Sequence, residues 1–174
     1  KKAKGEYLIF TDSDCILPPD YFDVIIENLK NETDVFGGPD QAHPDFNPLQ
    51  KAISFSMTSV LTTGGVRGRK KSVETFYPRS FNMGIKKDIF KHLGGFPNTT
   101  MWPGEDMVLA IELIKREYNL QYIHEAFVYH KRRTSLSKFF KQVDGFGRVR
   151  VYISKLYPST FKLIYLFPLV FVLF

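Results

Sequence analysis

The chain has 174 residues, 44% of them hydrophobic and 16% aromatic, enough for one domain with a substantial core and too few for two comfortable ones. Its net charge of +6 and pI near 9.3 favour a polyanionic partner, whether nucleic acid, a phosphorylated ligand or an anionic membrane, without choosing among them. One cysteine, Cys15, excludes an internal disulfide and a cysteine-based zinc site, which leaves cytoplasmic exposure as the simpler reading.

The chain opens KKAKGEYLIF with no initiator methionine and no signal peptide, so a preceding helix is expected to lie outside it. Glu6 to Thr11 is predicted as a strand, because Tyr, Leu, Ile and Phe run on continuously as they do in a sheet covered on both faces. Pro18 and Pro19 suit a helix start, and Tyr21 to Lys30 places Phe22, Ile25, Ile26 and Leu29 at helical spacing. A short strand at Asp34 to Phe36 is expected to stop at Gly37, Gly38 and Pro39, and strand, helix, strand implies a parallel crossover.

Asn47 to Thr62 is predicted helical, and Gly64 to Ser72, with Arg67, Arg69, Lys70 and Lys71, is predicted as a basic loop. A strand at Phe81 to Lys86 precedes a short helix, Lys87 to Leu93, closed by Gly94 and Gly95. Gly104 introduces a helix from Glu105 to Arg116 with the apolar stripe Val108, Ile111 and Ile114. Strands follow at Leu120 to Ile123 and Ala126 to His130, and Ser135 can cap a helix running from Leu136 toward Leu156. The alternation places the fold in the α/β class.

Lys131 to Lys155 holds eight basic residues against one acid, Asp144, and Phe161 to Phe174 is overwhelmingly apolar. Its fourteen residues are fewer than the roughly 20 that a span needs. The tail is therefore either a core element or the first part of a membrane helix that continues outside the chain, and the basic block before it would then face the cytoplasm.

Two acidic motifs carry chemistry. In TDSD, Asp12 and Asp14 sit i and i+2 at the carboxyl end of a strand, where open α/β sheets place their ligand crevice. Hard oxygen donors of this kind suit Mg²⁺ or Mn²⁺ shared with substrate phosphates; the alternative is a turn or cap before the helix. In PGEDMVLAIEL, Glu105 and Asp106 fall in the first turn of a helix, where the macrodipole favours acids in any case. Just ahead, Gly94, Gly95, Phe96, Pro97, Trp102, Pro103 and Gly104 form a loop able to shape a pocket floored by a carboxylate.

In order along the chain stand Phe10, Asp12, Asp14 and Pro19; Asn82, Ile85, Lys86 and Lys87; Gly94, Gly95 and Phe96; Gly104, Glu105, Asp106 and Leu109; and His130 at a strand end. This series, from about Lys4 to Arg150, resembles the glycosyltransferase family 2 proteins of the GT-A fold. The resemblance implies a mixed sheet flanked by helices, incomplete at the N-terminus where similar proteins carry a strand, helix and strand that grip the nucleobase. It implies a partial GT-A catalytic domain over residues 1–134, a basic amphipathic helical segment over 135–158 and a membrane-associated apolar helix from 159 to 174.

It further implies an inverting, metal-dependent glycosyltransferase that moves a sugar from a nucleotide-diphosphate donor to a hydroxyl, on a glycan or lipid-linked acceptor in cell-surface or exopolysaccharide synthesis. Asp14 is then expected to hold Mg²⁺ or Mn²⁺ directly at the donor diphosphate, with Asp12 as a second metal ligand or a ribose contact and His130 at the metal or the diphosphate. Asp106 is the expected base and Glu105 orients it or binds the acceptor. Asn82, Trp102, Gln142 and Arg148 are the expected donor or acceptor contacts, and Lys141, Gln142 and Arg148 sit at a Gln/Arg motif whose processive form carries a Trp absent here. A plasma-membrane location with the catalytic part facing the cytoplasm follows, and nucleic acid is not an expected partner. Two other readings are a sugar-phosphate nucleotidyltransferase and a non-catalytic basic membrane-binding module using Lys131 to Lys155.

Overall fold

A computed structural model describes residues 2–59, 76–97 and 104–161. Five helices and seven strands lie among them: β1 (Tyr7–Thr11), β2 (Cys15–Ile16), α1 (Tyr21–Asn28), β3 (Val35–Gly37), β4 (Asp40–Gln41), α2 (Pro48–Thr58), β5 (Asn82–Lys86), α3 (Lys87–His92), α4 (Glu105–Lys115), β6 (Leu120–Tyr122), β7 (Val128–His130) and α5 (Leu136–Leu156), with a 3-10 turn at Pro158–Thr160. The predicted loop at 64–72, the last residues of the helix predicted to Thr62, and the apolar tail beyond Phe161 lie outside the described residues.

The larger sheet has the strand order β1-β5-β3-β6. β5 pairs antiparallel with β1 on one side and β3 on the other, while β3 and β6 run parallel. The expected crossover is therefore corrected in one respect. β1 and β3 do point the same way, but β5 fills the slot between them, a choice of partner made by residues far along the chain.

Helices cover both faces of this sheet, which explains why its strands read as unbroken apolar runs. Tyr21 and Ile25 of α1 pack on Phe36 and Phe81 on one face. On the other, Leu109 and Leu113 of α4 pack on Val35, Met83 and Ile85. Neighbouring Val35 and Phe36 thus serve opposite cores, as the period-two alternation of a strand demands. Each fully buried side chain of this size contributes about 1.5–3 kcal/mol.

Two strands of two residues each, β2 and β4, flank β7 in a second sheet of order β2-β7-β4. Neither is long enough to show a period in the sequence. Gly38 and Pro39 make the turn between β3 and β4, and Gly37, expected to end the strand, is its last residue. Gly38 is required there because a Cβ would collide with the Ala126 carbonyl oxygen.

Two helix caps set how the following chain leaves the sheets. Asn47 and Gln50 form a reciprocal capping box at the start of α2. Ser135 caps α5 by accepting the Lys138 N–H, as expected. Among the described residues no helix is long and apolar enough to cross a membrane.

Candidate active site

The register of the larger sheet collects the chemistry at one end. Thr11, the last residue of β1, lies opposite Asn82, the first of β5, and Gly37 at the end of β3 lies between Met83 and Tyr122. The segments leaving β1, β3 and β6 and the segment entering β5 therefore emerge together. Asp12 and Asp14 follow β1, Asp40 follows β3, and Arg79 and Ser80 precede β5. The small sheet closes over this end, pairing Cys15 with His130 and bringing the Lys131 N–H to the Asp14 carbonyl at 3.0 Å.

His130 faces both acids of TDSD. Its Nε2 stands 3.3 Å from Asp14 Oδ1 and 3.8 Å from Asp12 Oδ2. Burial holds the imidazole below its ordinary pKa, against the pull of Asp14, Asp40 and Asp12, so near neutral pH it is an uncharged nitrogen donor. Its Nδ1 is buried without a hydrogen-bond partner among the described residues. Asp12 is shifted upward, chiefly by burial, and Asp14, Asp106 and Glu105 push the same way. Two carboxylates short of positive charge, converging on one neutral imidazole, form a donor set that fits a hard divalent cation such as Mg²⁺ or Mn²⁺.

Cys15 is the neighbour that the motif did not announce. Its Sγ lies with the Asp14 and His130 ligand atoms inside a 4.8 Å cluster. Burial pushes its pKa up to about 11, and the thiol points at the Phe81 carbonyl, 3.8 Å away. It stays protonated, and a protonated thiol is a poor ligand for a hard cation.

The second acidic motif begins α4. Asp106 is only 5% exposed. Its Oδ2 accepts from Arg79 Nε at 2.7 Å and from the Ser80 N–H at 3.4 Å, while Oδ1 accepts from the Met107 N–H at 2.7 Å. Glu105 is less buried, and its Oε2 accepts from the Gly104 N–H at 2.9 Å. Because Asp106 and Glu105 both raise the Asp12 pKa, the two motifs lie within electrostatic reach of each other. Arg79, an isolated arginine in a turn, gave no spacing signal, yet it neutralises and fixes Asp106.

Gly104 sets the angle at which this helix begins. It sits at φ +150°, and a Cβ there would come within 2.6 Å of Val149 Cγ1 on α5. Gly104→Ala is expected to cost about 2–4 kcal/mol from overpacking and backbone strain together, read as a lower denaturant midpoint. Adding Val149→Ala should return only the packing part.

The remaining predicted residues divide. Asn82 is buried to 1% exposure and spent on protein: its Oδ1 accepts from Tyr21 Oη at 2.6 Å and its Nδ2 donates to the Ala126 carbonyl at 2.7 Å. The expected ligand contact is thus replaced by a strut joining α1, β5 and the β6–β7 turn. Arg148 is exposed and turned to Asp144, one helical turn away at 2.9 Å. Gln142 is half-buried on α5, and Trp102 lies outside the described residues. Arg132, one of the eight basic residues of Lys131 to Lys155, is buried and paired with Asp40 at 2.6 Å.

A mixed α/β domain with an acidic crevice at its strand ends is of the GT-A class. The sequence profile of glycosyl transferase family 2 matches residues 1–94, more than half of the 174, and the chain belongs to that family. It is 28% identical over 149 residues to the succinoglycan biosynthesis protein ExoA of Rhizobium meliloti (strain 1021), covering 85% of this chain and 44% of that protein. It is also similar to two O-antigen chain rhamnosyltransferases: RfbN of Salmonella typhimurium, at 25% over 158 residues, and WbaN of Salmonella anatum, at 26% over 148. Those alignments cover 84% and 83% of this chain and 48% and 47% of the relatives. The chain thus spans about half the length of the relatives it matches.

Proposed function

We propose that the whole protein is an inverting glycosyltransferase that transfers a sugar from a nucleotide-diphosphate donor to a hydroxyl of a glycan or lipid-linked acceptor. Its place would be cell-surface or exopolysaccharide synthesis, as the names of its relatives indicate for those proteins. The observation that carries the reading is the meeting, at one sheet end, of Asp12, Asp14 and His130 with the Glu105–Asp106 pair. We further propose the inner membrane as its location, with this crevice facing the cytoplasm.

Asp12, Asp14 and His130 would hold Mg²⁺ or Mn²⁺, which supplies Lewis-acid neutralisation of charge on the departing diphosphate. Asp106 takes the proton of the acceptor hydroxyl as its oxygen bonds to the anomeric carbon and the bond to the diphosphate breaks on the opposite face. No bond to the protein forms, and the anomeric centre inverts. Arg79 keeps Asp106 aimed through its Nε bond to Oδ2, and must loosen that contact as the acceptor hydroxyl arrives. Glu105 holds Gly104, and so the mouth of the crevice, in place. Trp102 would stack on a sugar ring, and the missing motif tryptophan favours addition of one sugar per acceptor.

The test is a screen of the whole protein for hydrolysis or transfer from UDP-, GDP- and dTDP-sugars. Activity with one donor should rise at least about tenfold with Mn²⁺ over a chelated control. Equal activity in the chelator would sink the role given to Asp12, Asp14 and His130.

A further inference from the structure

Cys15 is a donor beside the acidic crevice that the proposed Mg²⁺ or Mn²⁺ ligands leave unused. Its Sγ, an oxygen of Asp14 and a ring nitrogen of His130 all lie within 4.8 Å of one another. The strand register puts them there: Cys15 on β2 stands opposite His130 on β7, and Asp14 immediately precedes β2. A single thiol cannot build the cysteine-rich cage of a structural zinc site. One thiolate, one imidazole and one carboxylate are nevertheless three protein ligands with a fourth position open, the arrangement of zinc sites that exchange water or substrate.

We infer that Asp14, Cys15 and His130 form a second cation site, selective for Zn²⁺, that takes two ligands from the Mg²⁺ or Mn²⁺ site and stops sugar transfer when filled. The inhibition rests on the roles proposed above for Asp14 and His130; the binding does not. Ligand softness selects the ion. Mg²⁺ and Mn²⁺ prefer oxygen and gain nothing from the thiol, whereas sulfur and imidazole together suit Zn²⁺. The ligand spacing agrees. Nitrogen and oxygen ligands about 2.0–2.1 Å from a tetrahedral zinc stand roughly 3.3 Å apart. His130 Nε2 and Asp14 Oδ1 already stand at 3.3 Å.

Sulfur, about 2.3 Å from the ion, must come within roughly 3.6 Å of both. From the 4.8 Å limit of the cluster that is a swing of little more than about 1 Å. The thiol gives up only a long contact to the Phe81 carbonyl, at 3.8 Å. The Asp14 side chain is 41% exposed, which leaves the ion a way in. As the sulfur–zinc bond forms, the thiol proton leaves to water, and no atom changes oxidation state. The effect on transfer follows from coordination number. A six-coordinate ion on Asp12, Asp14 and His130 keeps positions for two phosphate oxygens and water. Zn²⁺ on Asp14, Cys15 and His130 keeps one, too few to bridge a diphosphate.

The experiment uses Cd²⁺ as a spectroscopic stand-in for Zn²⁺ on this chain, whose one thiol makes the ultraviolet cadmium–thiolate absorption unambiguous. Expected is a band that saturates at one Cd²⁺ per chain, is reversed by Zn²⁺, and is absent from Cys15→Ser and from the chain unfolded in denaturant. In His130→Ala it should need at least about tenfold more Cd²⁺. No band, or a band of equal affinity in His130→Ala, would overturn the inference. In the whole protein, Zn²⁺ should inhibit Mn²⁺-supported transfer, and Cys15→Ser should raise the half-inhibiting concentration about tenfold, each protein measured against its own Mn²⁺ rate. Equal concentrations would overturn the competition for shared ligands. A whole protein equally active in chelator, with the band still present in the chain, would remove the metal roles proposed above and leave the zinc site standing.

Discussion

Asp106→Asn in the whole protein is expected to lower sugar transfer by about 10³-fold while leaving Mn²⁺ affinity within about twofold; Asp14→Asn should lower both. The split follows from the geometry. Asp14 Oδ1 is the carboxylate oxygen closest to the His130 nitrogen, at 3.3 Å, so removing its charge removes a proposed ligand. Asp106 stands across the crevice, held by Arg79 and the Met107 N–H. Asparagine keeps the shape and the bond from Met107 but cannot take a proton from a hydroxyl.

Its loss of the Arg79 ion pair should cost about 1–3 kcal/mol, since the Arg79 side chain is 28% exposed and can turn to water. Denaturation must therefore accompany the kinetics, to show that the variant is folded in the assay. Calorimetric titration with Mn²⁺ and a transfer rate on the same preparations separate the two roles. An Asp106→Asn protein that turns over at the parent rate would remove the base from this site and leave the metal ligands standing.

Much of this architecture was legible because helix and strand periods are local. α5 begins at Leu136 and ends at Leu156 as its cap and pattern predict, and β1 announces itself by a continuous apolar run. The insertion of β5 between β1 and β3 was not legible. Strand partners are chosen by which faces fit, and Val35, Met83 and Ile85 look alike as letters whichever strand lies beside them. β2 and β4 escaped for a plainer reason, since two residues have no period.

The site divides along the same line. Asp12, Asp14, Glu105 and Asp106 could be picked out because each pair occupies a place, a strand end or a helix start, that chain-local rules mark as open to a ligand. Arg79 meets Asp106 across 27 positions of sequence, and no rule of spacing joins them. Asn82 illustrates the converse error. A polar residue at the head of a buried strand can face the crevice or brace it, and only the positions of Tyr21 and Ala126 decide for bracing. Arg132 is one cation in a run of eight, and nothing in that run singles out the one that finds a buried acid, Asp40.

Arg132→Met should destabilise the chain by about 3–5 kcal/mol, and Asp40→Leu added to it should recover most of the loss. Both partners are almost fully buried, at 4% and 3% side-chain exposure, and stand 2.6 Å apart. Taking two ions from water is costly, and their attraction offsets that cost only while both are present. Removing the guanidinium alone takes the Arg132 counter-charge away from the buried Asp40 carboxylate at the start of β4, beside β7. It also removes the Arg132 Nη2 bond to Ser54 Oγ at 3.3 Å, one of the ties from the segment just after β7 to α2; the Gln50 Nε2 bond to the Arg132 carbonyl, at 3.0 Å, survives any side-chain change. Two apolar side chains of similar volume leave no charge behind. The pair also touches the chemistry, since Asp40 raises and Arg132 lowers the His130 pKa. Arg132→Met alone should therefore make His130 more basic, and the double variant should return it toward its parent value, measurable by NMR titration of the imidazole. Denaturant unfolding of this chain with the same midpoint for Arg132→Met as for the parent would show that the ion pair is not what fastens the small sheet over the crevice.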